Sequence, residues 1–325
     1  MTLSRFFRRL FVCMLLAAFG GPVGAQEVYP SRPIKLIVPY TPGQGADSAA
    51  RLVATRLAER LKQAIVVDNR PGAAGNIGAE VAAKAPADGY TLLVGSNATH
   101  AANAALYPSL RFDPIKDFVP VAYIGAVPMA LIAAPNFPAS SLPELIRIAK
   151  ANPDTVSVAV PSSTARVVLE LMSKSSGANF RNVPYKGSTA AITDVLGGHV
   201  QLSIDTAMAA TPQISAGKMK ALGVTSATRT SVLPSVPSFA ESGLPGFSLV
   251  AWNVWFAPRG TPPEIVERLN AEIVKVLAEP DTVAKLRGLG YEPGGADGPQ
   301  KVSAFVNAES KKWGDLIRAA GITAD

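Results

Sequence analysis

The chain has 325 residues, 48% hydrophobic and only 17% charged, with two His and one Cys. That balance builds a sizeable core, excludes a mainly disordered chain, and at this length fits two domains. The formal charge of +7 falls to +4 once Arg5, Arg8 and Arg9 of the first 25 residues are set aside, too little without a clustered patch to point to DNA or RNA.

Those three arginines precede an apolar run, LFVCMLLAAF over 10–19, then Gly20-Gly21-Pro22 and the small residues of Val23-Gly24-Ala25. This is the order of an export signal, with cleavage expected after Ala25. An apolar run of about ten residues cannot span a bilayer that needs roughly 20. Arg8-Arg9 leaves twin-arginine export open beside the general route. Cys13 lies inside this segment and lacks the small residues that precede a lipidated cysteine. The mature chain is therefore expected to have no thiol, disulfide or cysteine metal site.

Beyond residue 26, short β-type runs alternate with helix-type runs, which predicts an α/β fold with mostly parallel sheets. Ile34 to Pro39 (IKLIVP) is a first strand, and 47–62 is a helix capped by Asp47, with Ala49, Leu52, Val53, Leu57 and Leu61 on one face. Its Arg51, Arg56, Glu59 and Arg60 form a solvated face. Strands follow at 65–67 and 91–94 around a helix at 76–85. The stretch 119–134 reads as two apolar β-type runs interrupted by Pro128, and Ser141-Leu142-Pro143-Glu144 opens a helix with a capping box. Strands at 156–160, 182–185, 200–204 and 221–224 define a second α/β unit. A strand at 247–256 carries Trp252 and Trp255, Thr261-Pro262-Pro263-Glu264 opens another helix on the same capping logic, and the last 60 residues are mostly helical. The chain thus crosses from one lobe to another near 120–130 and returns near 245–257; two crossings make a hinge, and a hinge between lobes encloses a cleft.

No nucleophile elbow, His-Glu-x-x-His or P-loop is present in the sequence. His100 and His199 are the only side chains that titrate near neutrality unperturbed; His199 follows Gly197-Gly198 and reads as a solvated turn residue. Two histidines and no mature cysteine make no transition-metal site. Five strand-end loops share one chemistry. Pro42-Gly43-Gln44-Gly45-Ala46-Asp47 offers backbone N–H groups at a helix start, although Ser48 stands where a dinucleotide fingerprint needs a third glycine. The others are Gly95-Ser96-Asn97-Ala98-Thr99-His100, Pro161-Ser162-Ser163-Thr164-Ala165-Arg166, Tyr185-Lys186-Gly187-Ser188 and Asp205-Thr206. Each alone is explained by helix capping; together they point to an anion site between the lobes, where α/β folds bind ligands.

Several ordered segments also carry a resemblance. They are Pro33 to Tyr40 (PIKLIVPY), Asp68 to Gly78 (DNRPGAAGNIG), Ala87 to Leu93 (ADGYTLL), Val183 to Gly187 (VPYKG), Asp194 to Gly198 (DVLGG) and Gly243 to Phe247 (GLPGF). On these the sequence resembles the Bug-type solute receptors, the extracytoplasmic binding proteins of tripartite tricarboxylate transporters, over 26–325. The resemblance implies a type II periplasmic binding protein fold: lobe 1 of 26–125 plus 251–325, lobe 2 of 126–250, and a ligand cleft between them. It implies a carboxylate held by the loop of Gly43, Gln44, Gly45, Ala46 and Asp47, with Tyr40, Ser96, Asn97, Thr99 and His100 on the same side. Ser163, Thr164 and Asp205 would face it from the second lobe, where the strand-end loops add Arg166 and Tyr185. Gln44 and Ala46 depart from the usual glycine and hydroxyl residue of the first loop; Arg166 falls where a histidine is common, and could pair with a distal carboxylate. The expected function is that of a monomeric, cofactor-free, non-enzymatic periplasmic receptor passing a small mono- or dicarboxylate, amino and aromatic acids included, to a membrane permease. An orphan receptor serving a sensor and a secreted hydrolase using His100 are the alternatives.

Overall fold

A computed structural model describes residues 29–323; the export-signal reading of 1–25 and Cys13 lies outside them. All the named elements belong to the unit that begins at Arg32. They are ten strands, β1 (Ile34–Val38), β2 (Ile65–Asn69), β3 (Thr91–Ser96), β4 (Phe118–Ala133), β5 (Ser157–Val160), β6 (Arg181–Pro184), β7 (Leu202–Thr206), β8 (Lys220–Val224), β9 (Val250–Pro258) and β10 (Glu292–Pro293). The helices are α1 (Gly45–Leu61), α2 (Asn76–Ala83), α3 (Asn103–Leu106), α4 (Leu142–Ala151), α5 (Ser163–Ser176), α6 (Ser188–Leu196), α7 (Ala207–Ser215), α8 (Pro263–Leu277), α9 (Pro280–Gly288) and α10 (Pro299–Ala320). A π-helical turn, Ala98–Ala102, precedes α3.

The strand order is β2-β1-β3-β9-β4-β7-β5-β6, with β8 and β10 pairing β4 off this path. The outer pairs β1–β2, β1–β3, β5–β6 and β5–β7 are parallel, as alternating β and α segments require. Every pairing of β9 and β4 is antiparallel. The sheet is therefore mixed, not mostly parallel, because the strands that carry the chain between its two wings run against their neighbours.

The central strand β4 is a single 16-residue element, not two runs split at Pro128. Pro128 pairs with Val250 at the start of β9, and the strand absorbs its irregularities at register shifts between Pro120 and Ala122 and between Tyr123 and Gly125. Up to Pro128 it pairs β9; from Met129 to Ala133 it pairs β7. One strand thus leaves the first wing and enters the second, and β9 brings the chain back. The aromatic pattern of β9 is explained by burial: Trp252, Trp255 and Phe256 are at most 1% exposed. Glu309 of α10 accepts hydrogen bonds from the indoles of both Trp252 (3.1 Å) and Trp313 (2.9 Å), pinning the long C-terminal helix to the strand.

Local capping follows the sequence in part. Ser141 accepts from the Glu144 N–H as expected, while Glu144 accepts from the N–H of Ser140, one residue before the cap, in place of the Ser141 N–H of a capping box. At α8 the same expectation fails. Thr261 donates to the Pro258 carbonyl, leaving Pro262 at the cap position. The arginines of α1 are not simply solvated: Arg56 pairs with Asp281, and Arg60 with Glu272 and Glu279, tying α1 to α8 and α9.

Candidate functional site

One large cavity of about 1080 Å³ opens between the two wings. The helix starts explain its character. The starts of α1, α5, α6 and α7 all contribute lining residues: Gly45, Ser163, Ser188 and the cap residue Thr206. Each start leaves N–H groups without an intrahelical partner and adds the positive end of a helix dipole. Side chains already cap α5 and α7, where Ser162 accepts from the Ala165 N–H and Thr206 from the Ala209 N–H. The caps of α1 and α6 make no such side-chain bond. Four helix starts around one cavity bring positive dipole ends to its wall, an arrangement that favours negative charge there.

The first-wing wall begins at the end of β1. Gly43, with φ at +84°, takes the left-handed turn that a side chain would strain, and Gln44 becomes the cap of α1. Asp47 is not that cap. It lies inside the first turn, 1% exposed, and accepts from the Gly43 N–H (2.8 Å), Asn69 Nδ2 (2.8 Å) and Arg51 Nε. Burial pushes its carboxyl up, but the hydrogen bonds from Arg51, Gly43 and Asn69 outweigh that and hold it below the ordinary carboxylate range. Asn69 also donates to the Tyr40 carbonyl (3.0 Å). Asp47 therefore clamps the loop that lines the cavity and is itself outside the lining.

The second first-wing loop is built the same way. The Tyr40 and Ser96 hydroxyls share a 2.5 Å hydrogen bond, and Ser96 Oγ accepts from the Ala98 N–H (3.1 Å). Burial raises the Tyr40 pKa, with Ser96 opposing, so it stays a neutral phenol. Asn97 joins the wings. Its Nδ2 donates to Thr164 Oγ1 of α5 (2.9 Å), and its Oδ1 accepts from the Trp252 N–H of β9 (3.4 Å). Thr99 turns inward to accept from the Ser96 N–H (3.0 Å).

His100 is fully buried, stacked on Phe256 at 3.8 Å and edge-on to Phe118, with Nδ1 against Thr99 Oγ1 (2.8 Å). Burial lowers its pKa to about 3, and it does not line the cavity. It is a neutral core residue there, which leaves the hydrolase reading without its base. Gly95 makes room for it: a Cβ there would lie 2.7 Å from His100 Cε1 and 2.4 Å from Phe256.

On the second wing, Tyr185 donates to Asp194 Oδ2 (2.6 Å), and that bond, aided by burial, pushes its pKa up to about 12. Asp205, near the end of β7, is 2% exposed. Its Oδ1 accepts from Ser188 Oγ (2.9 Å) and the Thr206 N–H (2.7 Å), while its buried Oδ2 has no partner. Burial raises its pKa to about 6 against those bonds and a further pull from the Thr206 hydroxyl. Thr164 and Arg166 on α5 complete this wall.

Of the residues expected at the site, Tyr40, Gly43, Gln44, Gly45, Ala46, Ser96, Asn97, Ser163, Thr164, Arg166, Tyr185 and Asp205 line the one cavity; Asp47, Thr99 and His100 stand behind it. The sequence reading left out Met129, Met208, Asn253 and Tyr291, which also line it. Asn253 donates to the Gly95 carbonyl (3.1 Å) and accepts from Tyr291 (2.6 Å). A lone polar residue inside the apolar run WNVWF was a usable signal; Tyr291, in a segment read as helical, gave none. Among the described residues no group of His, Cys, Asp and Glu could hold a metal ion, and no helix is long and apolar enough to cross a membrane.

A mixed α/β sheet whose two wings enclose a cavity defines a type II periplasmic binding protein fold. Residues 49–322 match the model of the tripartite tricarboxylate transporter family receptor, and the chain belongs to that family, the Bug-type receptors. The protein BugT of Bordetella pertussis is 37% identical over 324 residues, covering 99% of both chains. The structure of Rpa4515 of R. palustris with adipate superposes with a TM-score of 0.84 at 40% identity, covering 91% of this chain and 99% of that one. MatC of Rhodopseudomonas palustris with bound malate gives 0.79 at 34% identity, covering 89% and 100%.

Proposed function

We propose that this protein is a periplasmic receptor that captures a small organic carboxylate between its two wings and delivers it to a membrane permease of the tripartite tricarboxylate type. The observation that carries this reading is the convergence of four helix starts on one cavity. The residues that hold the ligand are those of the expected set that line it, from Tyr40 to Asp205, with Asn253 and Tyr291 added. The wings correspond to lobes of 26–125 plus 251–325 and of 126–250, with β4 and β9 as the two hinge segments. On this reading the receptor acts as a monomer and binds its ligand without catalysis. Adipate in Rpa4515 and malate in MatC support a carboxylate as the ligand class.

The energetics are adequate. Micromolar affinity requires about 8 kcal/mol. Roughly five charge-assisted hydrogen bonds at about 1.5–3 kcal/mol each supply it after the entropy of association is subtracted. A thermal-shift screen of mono-, di- and tricarboxylates, amino acids and aromatic acids tests the reading. A ligand at 100 times its Kd stabilises by about 2.7 kcal/mol, roughly 4 °C for a chain of this length. No response to any carboxylate would count against it.

A further inference from the structure

Asp205 is a carboxylate in the wall of a cavity read as a carboxylate site. The backbone N–H of Thr206 can only donate, so its bond to Oδ1 fixes that oxygen as an acceptor, and Ser188 Oγ donates to the same atom. Oδ2 is left buried with no hydrogen bond, on a residue that lines the cavity. A buried carboxylate oxygen without a partner is costly and asks for a donor. The charged side chains that line the same cavity besides Asp205 are Arg166 of α5 and Lys186 of the loop before α6. With a pKa of about 6, the carboxyl is mostly ionised at pH 7.5 and acts there as an acceptor.

We propose that Asp205 Oδ2 is the specificity element of this cavity: it accepts a hydrogen bond from a hydroxyl or ammonium group of the ligand, so the receptor prefers hydroxy- or amino-substituted carboxylates to the unsubstituted acids. The proposal rests on the carboxylate-receptor reading above. It divides acids that the reading alone groups together, since malate carries such a donor and adipate does not.

The fixed acceptor at Oδ1 also makes the isosteric substitution informative. In Asp205→Asn the amide oxygen must take the Oδ1 position to keep the Thr206 N–H, which turns the NH2 group to the Oδ2 position. The substitution exchanges an acceptor for a donor at one point of the wall, with no change of shape. It should reverse the preference.

The test is calorimetric titration at pH 7.5 of full-length mature protein and the Asp205→Asn variant with matched sets. These are propionate, lactate and alanine; succinate, malate and aspartate; glutarate, 2-hydroxyglutarate and glutamate; adipate, 2-hydroxyadipate and 2-aminoadipate. In at least one set the wild type should bind a substituted acid tenfold or more tighter than its parent, the effect of one charge-assisted hydrogen bond. Asp205→Asn should lose that margin and favour the parent acid. If acids bind but the parent equals or exceeds its substituted partners in every set, this proposal falls and the receptor reading stands. If the variant keeps the wild-type order, Asp205 is not the selector. If no acid of any set binds, both fall. The wild-type panel decides the first point even if the variant folds poorly.

Discussion

Met208, at the start of α7, sits in a socket formed by two glycines of the other wing, and Gly290→Ala should damage closure more than it damages the fold. A Cβ on Gly290 would lie 2.6 Å from Met208 Cβ, 2.7 Å from its Cα and 2.8 Å from its N. These are backbone-proximal atoms that no rotamer change can move, so reaching ordinary carbon contact requires α7 to retreat by about 1 Å. Gly290 also has φ at +79°, where alanine costs about 1–2 kcal/mol. That term lowers the melting temperature by about 2–3 °C. The retreat of α7 acts separately, by lengthening hydrogen bonds across the cavity. Losing one charge-assisted bond weakens ligand binding tenfold or more. Gly45→Ala provides the contrast. Its Cβ would lie 2.1 Å from Met208 Cε and 2.8 Å from Sδ, the flexible end of the side chain, so the cost should be smaller and Met208→Ala in the same chain should restore it. Thermal melts and calorimetric titration with whichever carboxylate the screen identifies separate the two effects. Wild-type affinity in Gly290→Ala despite a lower melting point, or failure of Met208→Ala to rescue Gly45→Ala, would refute the socket.

Three further outcomes follow from buried polar groups. Glu309→Ala leaves the indole N–H groups of Trp252 and Trp313 without their acceptor, at about 1–3 kcal/mol each, and should lower the melting temperature by several degrees. Glu309→Gln should lose less; an alanine variant within 1 °C of wild type (roughly half a kcal/mol) contradicts the reading. Because burial raises the Asp205 pKa from 3.8 to about 6, the native state binds its proton more tightly than the unfolded chain. Its contribution to stability is fully present below pH 3.8 and is lost as pH rises through about 6. Asp205→Asn without ligand should therefore gain up to about 3 kcal/mol on wild type above pH 6, and that gain should vanish towards pH 4; a gain independent of pH would contradict this. His100 has the opposite sign. Its pKa is lowered from 6.5 to about 3, so stability is full above 6.5 and falls as pH drops towards 3. In His100→Leu the slope of melting temperature against pH over that interval should flatten, whatever the absolute stability; an unchanged slope would assign the acid sensitivity elsewhere.

The sequence was most legible where chemistry is local. Strand runs, helix faces and the cap at Ser141 are set by residues within a few positions of one another, and they appear where expected within one to three residues. The strand-end loops were legible for the same reason, since glycine, serine and threonine after a strand announce exposed N–H groups. Three kinds of feature were not. The single strand β4 looks broken at Pro128 because its continuity depends on pairing with β9, more than 120 residues away. Asp47 and His100 were placed on the cavity by their position in loops, whereas Arg51 and Asn69 draw one inward and Phe118 and Phe256 cover the other. The contacts that join the wings, Asn97 to Thr164 and Met208 to Gly45 and Gly290, link residues from 67 to more than 160 positions apart. No periodicity encodes them.

A carboxylate held between the wings by helix starts would have a direct structural signature. A crystal structure of the protein with its tightest-binding carboxylate reads it out. The carboxylate oxygens should lie within hydrogen-bond distance of N–H groups at the start of α1, with another part of the ligand against α5, α6 or the Asp205 carboxylate. A ligand bound outside the cavity, or within it but touching only one wing, would contradict it.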